Sequence, residues 1–145
     1  MTTLANQNKY KSTQISTASS VKIIVLLYDG AINFLEQSKI KIKERDFKLK
    51  GVYLSKASRI VAELNSALDE KVDKKLVENL QSLYEFVNYQ ILQANLKNEI
   101  VFIDNAINIL RTIKESWDKV IELQFTDKQI IAEKRDSTKM ITLTV

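Results

Sequence analysis

The chain has no proline, and Gly30 and Gly51 are its only glycines in 145 residues. Strands need turns, and turns draw on Gly, Pro, Asn and Asp at short intervals. A chain with so few breakers, rich in Lys, Leu, Ile and Glu, reads as an all-α protein of long helices. With 45% apolar and 28% charged residues it can build one real core.

Four helices follow from period and punctuation. Ser19 or Ser20 caps a first helix running to about Arg45. Asp46 caps a second, to about Leu68, and "LDEKVD" supplies a polar turn. A third runs from about Asp73 to Leu96, and a fourth from about Glu99 to Leu123. Similar lengths and short connections favour an antiparallel up-down four-helix bundle. Residues 1–18 then form an N-terminal segment, 19–123 the bundle and 124–145 a tail. The tail closes with "MITLTV", whose alternation is strand-like.

The first helix carries more apolar surface than one core contact needs. Val21, Ile24, Val25, Tyr28, Ala31, Ile32 and Leu35 form one stripe at helical spacing. Ile23, Leu26, Leu27 and Phe34 form a second, roughly opposite, with Gly30 in its middle. A glycine inside a helix costs about 1 kcal/mol against alanine and is kept where another backbone comes close. Helix two has a single stripe, from Leu49 through Leu54, Ala57, Ile60, Val61 and Leu64 to Ala67 and Leu68. Helix three has a core stripe that includes Leu76, Leu80, Leu83, Tyr84, Val87 and Ile91, with Tyr89, Leu92 and Leu96 outside it. Helix four has one broad stripe from Ile103 to Ile121, and Trp117 reads as core packing. Two readings of the surplus stripes stand side by side. Either the chain covers them itself, or they form a groove for an amphipathic partner helix.

Catalytic chemistry is poorly supplied. No histidine excludes a histidine phosphotransfer bundle, Glu-x-x-His di-iron sites and His-ligated haem. No cysteine removes thiolate chemistry and thiolate metal ligands. No glycine-rich phosphate loop or nucleophile elbow is present. Glu63, Asp69, Glu70, Glu78 and Glu85 sit on polar faces and read as solvated. No enzyme, cofactor or metal is expected. The net charge is +4, but lysines and acids are interspersed along the helices, and the basic run "KIKIKERDFKLK" reads as a solvated face at a helix junction. No nucleic-acid partner is therefore expected. The longest apolar run, "IIVLLY", is too short to cross a bilayer, and "MTTLANQNKYKSTQ" lacks a signal-peptide core. The expected setting is the cytosol, without membrane insertion.

Several landmarks are specific. Four residues separate Tyr10 from Ile15; Thr17-Ala18-Ser19-Ser20 follow, then Leu27-Tyr28-Asp29-Gly30-Ala31. Further on come "KASRIVAELNSALD", "LQSLYEFVNYQILQAN" and "LRTIKESW". In this order they resemble the flagellar secretion chaperone family, FliS, over about residues 10–123. Ser20 replaces that family's usual proline, and the tail has no counterpart. The resemblance implies a non-enzymatic, cytosolic bundle that binds the disordered C-terminal segment of flagellin. Such a chaperone prevents premature polymerisation and presents the subunit to the flagellar type III export gate. On this reading the client contacts are Tyr10, Ile15, Ile23, Leu26, Leu27, Gly30, Phe34, Tyr89, Leu92 and Leu96, with residues 1–18 as a movable cover. The alternative is a generic helical adaptor for another amphipathic helix.

Overall fold

Asp46 does two jobs within three residues of chain. Its N–H closes the end of the helix before it, donating to the Lys41 carbonyl at 2.8 Å, while the Arg45 N–H donates to Ile42. That paired closure requires a left-handed residue, and Arg45 supplies it at φ 61°. The Asp46 carboxylate then accepts from the Leu49 N–H at 3.1 Å and starts the next helix. A computed structural model describes the backbone of residues 17–71 and 73–143, and the side chains of 21–71 and 73–123. The helices are α1 (Thr17–Lys43), α2 (Phe47–Ser66), α3 (Lys74–Lys97) and α4 (Ile100–Leu143). Expectations for Tyr10, Ile15 and the rest of residues 1–16 lie outside the described residues.

The cap at Asp46 is as the sequence predicts, and Asp73, the expected start of the third helix, proves to be its cap, accepting from the Leu76 N–H at 3.1 Å. α3 closes on Asn98, left-handed at φ 54°, whose N–H donates to the Ala94 carbonyl. α1 starts at Thr17, ahead of the serines expected to cap it. The larger correction concerns the end of α4. It does not stop near Leu123 but continues to Leu143, so Met140–Leu143 is helix and not strand. Alternation in "MITLTV" misled because nothing from Leu123 onward, neither glycine nor proline, breaks the helix.

Residues 24–115 form one unit. Within it, contacts fix the direction of every helix. Phe34 stacks on Tyr53, and the Gly30 backbone lies close to Ile60. Lys50 reaches Asn95, and Ser58 reaches Asn88. Gln90 accepts from Asn105. Asp29 pairs with Lys114, and Lys39 with Asp104. In each pair of helices that supplies two contacts, numbers rise on one as they fall on the other, so neighbours run antiparallel. The order around the bundle is α1, α2, α3, α4, with α4 returning to α1. The core holds Tyr28, Ala31 and Leu35 of α1; Leu54, Ala57, Val61 and Leu64 of α2; Tyr84, Val87 and Ile91 of α3; and Ile103, Ile107 and Leu110 of α4. Each buried aliphatic side chain of this size contributes about 1.5–3 kcal/mol. Leu49, Leu76 and Leu83, expected in the core, are exposed: the first two sit in first turns, and Leu83 stands over the α3/α4 seam beside Ile109.

A second unit comprises residues 1–23 with 116–145. In it Val21 is buried, Trp117 is half-buried, and Val120 and Leu123 are exposed.

Candidate functional site

Three consecutive residues of α1 each hold a different helix. The Tyr28 hydroxyl is hydrogen-bonded to the Tyr84 hydroxyl of α3 in the core. Asp29 pairs with Lys114 of α4 at 2.7 Å. A Cβ on Gly30 would sit 3.3 Å from Ile60 Cδ1 of α2. These residues lie about 100° apart on the helix, so they point at three neighbours in turn. Burial, reinforced by the Tyr28 bond, pushes the Tyr84 phenol well above its ordinary range, so Tyr84 stays neutral. The Tyr-Asp-Gly sequence is therefore a packing device.

This divides the second stripe of α1. Gly30 faces Ile60, and Phe34 stacks against Tyr53 with ring centroids 6.2 Å apart. Lys56 covers both rings, its Nζ 5.5 Å from the Phe34 centroid and 5.7 Å from that of Tyr53. Leu27 is half-buried. Leu26 is 67% exposed and Ile23 59% exposed. Of the residues expected to meet a partner, the α1 set thus contributes two open side chains, and Gly30 and Phe34 serve the α1/α2 contact.

The α3 set stays open throughout. Tyr89, Leu92 and Leu96 are 54%, 53% and 68% exposed, and their spacing puts them on one ridge. Beside that ridge runs a shallow groove between α2 and α3, lined by Leu54, Ser55, Ser58, Asn88, Ile91, Leu92 and Asn95. Its floor is apolar at Leu54 and Ile91, and the Ser58 hydroxyl donates to Asn88 across it at 3.1 Å. Its α2 wall is low, because Gly51 and Ser55 carry little side chain there.

One end of the groove is pinned by a residue that sequence reading placed in solvent. Lys50 is 5% exposed. Its ammonium donates to the Asn95 carbonyl at 3.0 Å and to Asn98 Oδ1 at 2.5 Å, capping the C-terminus of α3. Burial holds its pKa below the ordinary 10.5. Only the register of α2 against α3 reveals that role. Lys39, in the same basic run, is raised above 10.5, mainly by its hydrogen bond to Asp104. Among the described residues no group of acids gathers as a metal site, and no helix is long and apolar enough to cross a membrane.

An apolar ridge beside a groove, on a bundle whose Tyr-Asp-Gly is structural, fits what comparison finds. Residues 2–124 match the family described as flagellar protein FliS. The chain belongs to the FliS family. Among curated FliS-family relatives, a flagellar secretion chaperone of Vibrio cholerae is 39% identical over 107 residues, 74% of this chain and 79% of that protein. The Escherichia coli chaperone is 31% identical over 71% of this chain and 76% of its own length. That of Bacillus subtilis is 25% identical but spans 86% and 95%. A crystal structure of a flagellar chaperone from bacteria shares the fold seen here, with a TM-score of 0.68 at 18% identity, over 81% of this chain and 98% of that one. Placed on the structure, the FliS landmarks Tyr84, Ala94 and Leu110 are buried, and Arg111 pairs with Glu36. They record how the bundle packs.

Proposed function

We propose that this chain is a bacterial cytosolic export chaperone for flagellin. It binds the disordered C-terminal segment of the subunit, keeps it from polymerising early and presents it to the flagellar type III export gate. It acts by binding alone. Membership of the FliS family supports flagellin as the client. The observation that carries the contact is the open ridge of Tyr89, Leu92 and Leu96 beside the α2/α3 groove, with Leu26 as a further apolar foothold. Residues 1–18 are a movable cover, anchored by Tyr10 and Ile15, that gives way to the client.

The energetics favour a long contact. Ordering a client costs about 1–2 kcal/mol per residue in backbone entropy. Apolar burial returns about 25 cal/mol per Å². One pocket cannot offset a helix of several turns, whereas a ridge and a groove can.

Calorimetry with a flagellin C-terminal segment of about 40 residues tests this. Binding is expected with a negative heat-capacity change, the mark of apolar burial with folding. Leu92→Asp with Leu96→Asp is expected to weaken it at least about tenfold, roughly the effect of leaving two apolar contacts open, with helical content unchanged. Leu27 and Phe34 are poorer test sites, since Leu27 is half-buried and Phe34 stacks on Tyr53 of α2. No binding at tens of micromolar overturns the proposal. Equal affinity for scrambled amphipathic peptides makes the chain a general helical adaptor instead.

A further inference from the structure

From Phe47 to Ala62, α2 carries Lys48, Lys50, Lys56 and Arg59 and no aspartate or glutamate. α1, α3 and α4 each carry both signs. The structure accounts for two of the four cations. Lys50 caps α3, and Lys56 lies over the Phe34 and Tyr53 rings on the α1 side. Lys48 and Arg59 are exposed and pair with no carboxylate among the described residues. Lys48 also stands in the first turn of α2, where the helix dipole disfavours a cation and no acid is present. Neither side chain makes a hydrogen bond, ion pair or ring contact among the described residues.

Their position relates them to the groove. α2 gives Leu54, Ala57 and Val61 to the core, Tyr53 and Ile60 to α1, and Gly51 and Ser58 to α3. Lys48, Val52, Ser55 and Arg59 are left on the outward ridge, at i, i+4, i+7 and i+11. Val52, 41% exposed, puts an apolar contact between the cations. The groove wall between this ridge and α3 is low at Gly51 and Ser55. A helix lying in the groove would have one edge on Tyr89, Leu92 and Leu96 and the other over Lys48, Val52 and Arg59. Lys48 and Arg59 are about 16 Å apart, three turns of a helix. Beyond Arg59 the sign reverses, for Glu63 follows on α2 and Glu85 stands at the matching level of α3.

We infer that the α2/α3 groove takes an amphipathic helix with carboxylates along one edge, facing Lys48 and Arg59, and apolar residues along the other, facing α3. The inference deepens the proposed function and rests on its reading that the groove holds a helix. An edge of alternating cation and valine suits a protein helix, whose own ridge has that spacing. A phosphate backbone would leave Val52 against charge, so nucleic acid is the disfavoured occupant and is carried as a control.

The test uses two amphipathic peptides of about 20 residues, long enough to hold helical structure. They share a leucine seam; one has glutamates along a flank and the other lysines. Full-length wild type is expected to prefer the glutamate peptide by roughly tenfold at low salt, about the effect of two exposed ion pairs, and less at high salt. Lys48→Glu with Arg59→Glu is expected to abolish or invert that preference. Because the protein is cationic overall, Lys74→Glu with Lys75→Glu serves as an equal change of net charge at the start of α3. The preference is expected to survive it. A glutamate at position 48 suits the helix dipole, so the variant is expected to fold, and its helical signal checks that. Equal effects of the two double variants, no preference in wild type, or tighter binding of a DNA oligonucleotide overturn the inference. Failure to bind flagellin, with the peptide preference intact, overturns the identity of the client and leaves the inference standing.

Discussion

Arg45 holds a backbone conformation that suits glycine, and it does so at an exposed turn. A left-handed residue with a Cβ costs roughly 1–2 kcal/mol. Glycine would recover that and return about 0.5–1 kcal/mol as unfolded-state entropy. Arg45→Gly is therefore expected to stabilise the bundle by about 0.5–1 kcal/mol, seen as a rise of a few degrees in melting temperature. A fall would mean that the arginine side chain makes a stabilising contact. Gly30 shows the opposite logic. Its φ is ordinary, and it is small because Ile60 of α2 occupies the space. One residue type is missing where the backbone asks for it and present where packing asks for it.

At the scale of elements, the sequence spoke clearly about existence and starts. Asp46 and Asp73 fix two caps through local chemistry, and local chemistry is legible in one dimension. The bundle and the open ridge of α3 were also legible, since Tyr89, Leu92 and Leu96 fall off the core period. The second stripe of α1 was only half legible. Periodicity finds apolar positions but does not name the neighbour, and for Gly30 and Phe34 the neighbour is α2. Lys50 was opaque for the same reason: its partners are 45 and 48 residues away. The end of α4 was missed because a short alternating run outweighed the absence of a breaker. Among the described side chains, every buried apolar residue lies between Val21 and Ile113. Ending the chain after Leu123 is accordingly expected to leave cooperative unfolding and shift the melting temperature by only a few degrees. Loss of cooperativity would show that 124–145 is part of the fold.

Across the whole molecule, two lysines set opposite pH responses. Lys50 has a folded pKa below 10.5, so as pH rises towards 10.5 the folded chain loses this proton first. Over that window the unfolded state binds more protons, and this site adds stability with rising pH. Lys39 has a folded pKa above 10.5, so its contribution is complete below 10.5 and is lost as pH rises through the folded value. Urea titrations of wild type and Lys50→Met are therefore expected to diverge as pH rises towards 10.5, with the wild type gaining on the variant. At neutral pH the variant is expected to lose about 1–3 kcal/mol, the cost of leaving the Asn95 carbonyl and Asn98 side chain without a donor. An unchanged stability would remove Lys50 from the capping role. The three-way grip of Tyr28, Asp29 and Gly30 has a different consequence, one of timing. α1 is the first of the four helices to be synthesised, yet the hydroxyl bond to Tyr84 spans 56 residues and the pair of Glu36 with Arg111 spans 75. Its grip on α4 waits for the last helix to emerge. A protein whose family name is chaperone thus passes through its own birth with its most apolar helix unaccompanied, and long-range closure of that kind sets the pace of folding.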